Sequence, residues 1–449
     1  MDHRMFGFAT ARMRLLDLAA PLALFVTCAL GVVADARAGA KQPEALRFGA
    51  EQRLGRANQN PSTPFLRVSP NGRLYAIWTE DDDAPADRAG EFAPSERLVG
   101  KPTTLRAAVI AASADGGKSW SNPLRVNDVK ESVQDGESAP RLAFSASSRL
   151  YAVWAATAKS GILLQGNVRF AMEDANGGFT PARTLNEVDG TARFPVVETT
   201  PDGTVLVAWI DRRGDAAAPR RLALVRLGVG GSVLAKNFQV GEGTCECCRI
   251  GLAIGAHGKE IYLGSRELNA KLIRNHAVRK SSDGGATFGP PLLISDDRWE
   301  VPFCPDSGPT IAIDGRGHLH VTWFTYGQGN DGERGVFYAV SKDGGRSFSP
   351  RQLVGGNPGT LLHAALAVAK NGTVYFAWDN LDASDKSQVY VRVLGRDGRS
   401  WSPVEQISRA LYNATRPTLA VSENNVHVAW TETIGERSRA VLRSAPLVE

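Results

Sequence analysis

Four cysteines and a group of cationic side chains stand at matched positions in this chain, and side chains of these types bind metals or anions. Thr244-Cys245-Glu246-Cys247-Cys248-Arg249 sets three thiols and a guanidinium close together, and Cys304 follows in Phe303-Cys304-Pro305-Asp306. C-x-C-C with a distant fourth cysteine offers soft thiolate ligands suited to Cu(I) or Zn(II), with Asp306 and His363 as harder donors nearby. The same four cysteines could instead be oxidised to disulfides in an exported protein. Cys245–Cys304 would be one bridge. A second would need the vicinal pair Cys247–Cys248, at a cost in strain, or a link between chains. One bridge plus a functional thiol pair is the intermediate case.

What brings these residues together is a repeat. The pattern P-x-[LI]-A-V-x-x-x-G-x-[LV]-[YH]-V-[AT]-W occurs at 64–78, 140–154, 195–209, 250–264, 309–323, 364–378 and 417–430. Each leading residue lies eight positions before a turn residue: Gly72, Ser148, Gly203, Gly258, Gly317, Gly372 or Asn425. Apolar alternation on both sides of the turn predicts two antiparallel strands per copy. Counted back from the leaders, Cys245 and Cys304 are both five residues before, and Cys247 and Asp306 both three before. Arg249, His363 and Arg416 each directly precede a leader. If equivalent strands line a common channel side by side, these residues gather at one mouth of it.

A second motif closes each unit. Ser113-Ala114-Asp115-Gly116-Gly117-Lys118-Ser119-Trp120 returns at 281–288 and 341–348, in degenerate form at 395–401, and in a fainter one around Asn176. Its aspartate can accept backbone amides and its glycines supply positive φ, so each copy predicts a tight turn between two further strands. Four strands per unit at a spacing of mostly 53–59 residues predict an all-β propeller of four-stranded antiparallel blades. Seven blades are expected, with six plus an accessory hairpin as the alternative. The seventh copy runs out near Ser444 after three strands, and residues 45–48 are expected to supply the missing fourth, closing the ring with strands from both termini.

These turns resemble the Asp-box (BNR) hairpins of the sialidase superfamily. The resemblance implies a structural role for Asp115, Asp283, Asp343 and Asp397. It also implies a ligand site at the channel mouth, assigned here to Arg249, Arg266, Arg274, Asp306, His363 and Arg416, with Cys245, Cys247, Cys248 and Cys304 as metal ligands or disulfide partners. Sialidases hold the substrate carboxylate with three arginines and use a Tyr-Glu pair and an Asp for the chemistry. Arg274, following Gly264-Ser265-Arg266-Glu267, is similar to the second arginine. Ser62 stands where the first is expected, and His363 and Arg416 precede the last two leaders where a late tyrosine is expected. The expected function is therefore binding of a glycan, an anionic ligand or a metal at this mouth. An exo-sialidase-type glycoside hydrolase and a periplasmic thiolate metal-binding protein are the alternatives. His257, His318, His320 and His427 are expected to be packing or surface residues.

Residues 1–38 read as a signal peptide. Arg4, Arg12 and Arg14 precede an apolar stretch, 18–33, and small-residue cleavage sites near Ala36, Ala38 and Ala40. Residues 41–449 are then a single domain, periplasmic or secreted, with no membrane span in the mature chain. A net charge of +5 spread along 449 residues gives no basic face for nucleic acid. Ring closure lets a monomer suffice.

Overall fold

Each predicted hairpin folds as a pair of unequal strands. The strand before the turn alternates between the channel and the blade interior, and the strand after it is buried on both faces, as in Leu150–Thr157 and Val205–Asp211. Neighbouring sheets cover both faces of these second strands, so they read as continuous apolar runs. The computed structural model describes residues 42–82, 105–128, 131–158, 165–214, 219–269, 271, 273–300, 306–327, 329, 332–356 and 363–448. The signal-peptide assignment, Cys304 and most of the acidic loop at 81–104 lie outside the described residues.

Lys41–Glu449 is one unit made of seven four-stranded antiparallel sheets, which bears out seven blades over six. Their innermost strands are Ser62–Val68, Arg141–Phe144, Ala192–Thr199, Gly251–Ile254, Thr310–Ile313, Ala364–Val368 and Asn413–Val421. No helix among the described residues is long and apolar enough to cross a membrane.

Blade seven joins both termini. Asn413–Val421, Asn425–Ile434 and Arg437–Pro446 pair in series, and Gln52–Leu54 adds the fourth strand with Leu54 opposite Ala440. Residues 45–48 are not that strand. They lead into it, with the Leu46 amide donating to Glu405 Oε1 (2.7 Å) and the Leu46 side chain buried in the core shared by blades six and seven. Both segments are short and carry a leucine, so periodicity alone could not separate them.

Large side chains fix the blades against one another. Trp78, Trp154, Trp209, Trp323, Trp378 and Trp430 are fully buried on six second strands. Three of these indole N–H groups bond a carboxylate two residues on, Trp78 at Glu80 (2.9 Å), Trp209 at Asp211 (3.2 Å) and Trp430 at Glu432 (3.1 Å). The Asp-box turns sit at the end of the blade away from the residues preceding the leaders. Asp115 accepts the Ser119 amide (2.9 Å) and hydroxyl (2.5 Å) and the Ser113 hydroxyl (2.7 Å). Asp283 repeats this arrangement with Thr287 and Ser281, and Asp343 with Ser347 and Ser341. Asp397 does the same with Ser400 (2.5 Å to its hydroxyl).

Candidate functional site

All seven innermost strands line one channel of about 850 Å³. Its walls are mostly apolar, from Leu66, Leu252, Ile311, Leu366 and Leu419 among others. Arg67 crosses it to Glu198 in a bidentate pair (2.6 and 2.5 Å), tying blade one to blade three. Positive φ angles cluster where the chain enters these strands: Thr63 (46°), Phe194 (55°) and Arg416 (54°) each precede a leading proline, and Asp306 has 43°. Left-handed backbone is costly for such residues and gathers at functional sites. Here it accompanies register shifts near the starts of the first, third and seventh inner strands, which re-aim the side chains at the mouth.

At that mouth a single buried carboxylate is surrounded by cations. Asp306 Oδ2 lies 3.2 Å from His363 Nε2 and 3.6 Å from Arg416 Nε, and Asp306 Oδ1 lies 3.7 Å from Arg249 Nε. These are ion-pair contacts. The buried Nε atoms of Arg249 and Arg416 have no hydrogen-bond partner, and neither Asp306 oxygen accepts a hydrogen bond. Burial alone would raise the Asp306 carboxyl, but His363, Arg249 and Arg416 outweigh it and hold the group below the ordinary carboxylate range. Arg141, at the start of the inner strand of blade two, joins the same field. Burial and the like charge of Arg249 push it down to about 9, with Asp306 acting the other way, so it stays charged at neutral pH.

His363 is oriented from behind. Its Nδ1 lies 2.6 Å from Asp379 Oδ2, and its backbone amide donates to Asp379 Oδ1 (2.7 Å). Asp379 also accepts the Arg416 amide (2.8 Å), so one carboxylate sets two mouth residues. Burial disfavours the imidazolium, yet Asp379 and Asp306 on either side raise the His363 pKa above the ordinary value. Three guanidiniums and this histidine thus face two carboxylates, leaving positive charge in excess.

The thiols adjoin this cluster, because Cys248 directly precedes Arg249. Cys245 Sγ is 3.4 Å from Cys247 Sγ and 3.5 Å from Cys248 Sγ. Those are thiol contacts, far longer than an S–S bond of about 2.05 Å, and the Cys247–Cys248 bridge is not formed. Arg266 is fully buried, donates to Cys248 Sγ (3.3 Å) and lies 3.9 Å from the centre of the Trp299 ring. Hydrogen bonds from Cys247 and Cys248 favour the thiolate at Cys245, and burial raises the Cys248 thiol. The three sulfurs all lie within 4.8 Å of one another, a spacing that could hold a metal ion. Gly308 keeps the next inner strand close to this loop, since a Cβ there would collide with the Arg249 carbonyl.

No protein-family model matches the chain, and no curated protein matches it. Solved structures do. A Dyadobacter fermentans protein of unknown function superposes with a TM-score of 0.51 at 14% identity, over 90% of this chain and 99% of that one. The phage phi92 endosialidase gives 0.50 at 9% identity, over 90% of this chain and 70% of its own. Like these structures, this chain is a β-propeller. The likeness is one of fold, so the site must be read from its own residues.

In this propeller, Arg249, Asp306, His363 and Arg416 converge. Arg266 instead backs the thiols. Arg274 opens the strand Arg274–Ser281, where its backbone pairs with Trp299 (3.0 and 3.2 Å), and it is not among the residues lining the channel. No tyrosine among the described residues lines the channel either. Two site residues escaped the sequence reading. Asp379 had a signal: the acid at two residues beyond the tryptophan (Glu80, Asp211, Glu432) moves to one residue beyond Trp378, and period-two alternation turns it to the opposite face. Arg141 had a weaker one, lying just after a leader. Of the other histidines, His427 is buried with Nδ1 2.8 Å from Ser444 Oγ and Nε2 3.0 Å from Ser422 Oγ. His320 is also buried, and burial pushes it down to about 4, so it is neutral at neutral pH.

Proposed function

We propose that this protein binds a small anionic ligand, a carboxylate-bearing sugar acid or oligosaccharide, at the channel mouth through Arg141, Arg249, Arg416 and His363. The observation that carries the reading is the convergence of these cations, from four different blades, on one buried carboxylate with donor capacity to spare. Guanidinium groups suit carboxylates because their planar fork matches two oxygens. The reading is binding rather than hydrolysis, because no tyrosine among the described residues lines the channel to serve as nucleophile. The endosialidase likeness makes sialic acid the first carboxylate to try. Isothermal titration with sialic acid, a uronic acid and a neutral sugar should give heat only for the acids, with affinity falling as salt rises. Arg249→Ala should weaken binding at least tenfold. Equal affinity for acidic and neutral sugars, or hydrolysis of a fluorogenic sialoside abolished by Arg249→Ala, would overturn it.

A second reading rests on the thiols. Cys245, Cys247 and Cys248 would bind Cu(I) or Zn(II) beside the anion site, supported by the mutual approach of their sulfurs. Native mass spectrometry with and without chelator tests it: a metal lost in Cys247→Ser supports a metal site, and a mass short by two hydrogens per bridge supports disulfides.

A further inference from the structure

At the other end of the inner strand of blade five from Asp306, Asp314, His318 and His320 bring one carboxylate oxygen and two imidazole nitrogens within 4.8 Å of one another. The turn dictates this. Asp314 directly follows the inner strand, and its Oδ1 accepts the amides of Arg316 (2.9 Å) and His318 (2.8 Å). Oδ2 is thereby aimed at the histidines, 3.2 Å from His318 Nδ1 and 3.5 Å from His320 Nε2.

His320 is the informative member. It is 4% exposed, its Nδ1 lies 2.8 Å from Tyr338 Oη, and its Nε2 is buried without a hydrogen-bond partner. His427 in blade seven shows how this fold otherwise treats a buried imidazole, with a serine hydroxyl on each nitrogen. A separation of 3.5 Å is too long for a good N–H···O bond. With Nδ1–H given to Tyr338, the Nε2 lone pair faces a carboxylate oxygen across a buried gap, and two acceptors so placed call for a cation between them. Ligand atoms about 2.0–2.2 Å from a tetrahedral zinc stand about 3.3 Å apart, which lies between the two separations seen here.

We propose that Asp314, His318 and His320 form a zinc(II) site with three protein ligands and a fourth position open beside His318, whose side chain is 21% exposed. Tyr338 fixes the His320 ring from behind, as outer hydrogen bonds do for zinc-bound histidines. Arg316 Nε, 3.0 Å from Oδ2 on a side chain 56% exposed, has room to swing into solvent when the metal enters. The ion would clamp the inner and second strands of blade five on either side of their turn.

Zinc titration of chelator-treated protein, followed by native mass spectrometry and calorimetry, tests this. The wild type should take up one equivalent that is lost, or weakened at least about 100-fold, in His318→Ala. That variant alters a partly exposed turn residue and should fold; His320→Gln should give the same loss. Cobalt(II) in place of zinc separates this site from the thiols. The equivalent lost in His318→Ala should carry visible d–d bands without sulfur-to-metal charge transfer. Unchanged zinc stoichiometry and affinity in folded His318→Ala, or a lost equivalent that carries charge-transfer bands, overturns the proposal.

Discussion

Asp379 shows how one side chain can organise a mouth without lining it. It holds the imidazole and amide of His363 and the amide of Arg416, and it is 1% exposed. Removing one partner of a buried pair leaves the other charge uncompensated, so Asp379→Asn should cost about 3 kcal/mol or more in urea unfolding and weaken anion binding as well. The pH dependence follows from opposite shifts. His363 is raised above 6.5, so its contribution to stability is complete below about pH 6.5 and is lost as pH rises through the folded value. Asp306 and Asp379 are lowered below 3.8, so theirs is complete above about pH 3.8 and is lost as pH falls through the folded values. Stability from this cluster should therefore be greatest between these limits. His363→Gln should flatten the decline on the alkaline side and shrink the acid limb as well, because His363 helps to hold both carboxylates low, as urea midpoints measured from about pH 2 to 9 would show.

At the scale of elements, the Asp-box hairpins were legible because turn chemistry is local: aspartate, glycines and a hydroxyl within eight residues specify the bonds that form. Asp283→Ala should lower the melting temperature yet leave anion affinity unchanged, since this turn lies at the end of blade four away from the mouth. Loss of affinity in a fully folded Asp283→Ala protein would show that the two ends are coupled. The register of Arg249, Asp306, His363 and Arg416 was legible too, because the repeat supplies a ruler. The positive φ angles at Thr63, Phe194 and Arg416 were not, because a bulge depends on what the strand pairs with and on neighbours distant in sequence. The same limit applies to His318 and His320, which look like turn and strand residues until Asp314 Oδ2 and Tyr338 are placed around them.

At the scale of the molecule, function depends on ring closure, because the mouth is assembled from blades that are far apart in sequence. Arg141 and Arg416 reach the same site only if blade seven closes against blade one. That closure rests on Gln52–Leu54 pairing with the C-terminal strand and on Leu54, 3% exposed, in a core with Leu66, Trp78 and Leu442. Leu54→Ala leaves a cavity and should cost about 2–5 kcal/mol. Leu54→Asp places an unpaired carboxylate in the same core and should open the seam. If closure alone positions the mouth, Leu54→Ala should keep wild-type anion affinity at temperatures where it is folded, and Leu54→Asp should lose binding together with hydrogen-exchange protection in Arg437–Pro446. Full affinity in Leu54→Asp with that strand unprotected would mean that the arginines are held by contacts among blades two to seven without ring closure. The bidentate Arg67–Glu198 pair, which joins blades one and three across the channel, would then be the first restraint to test.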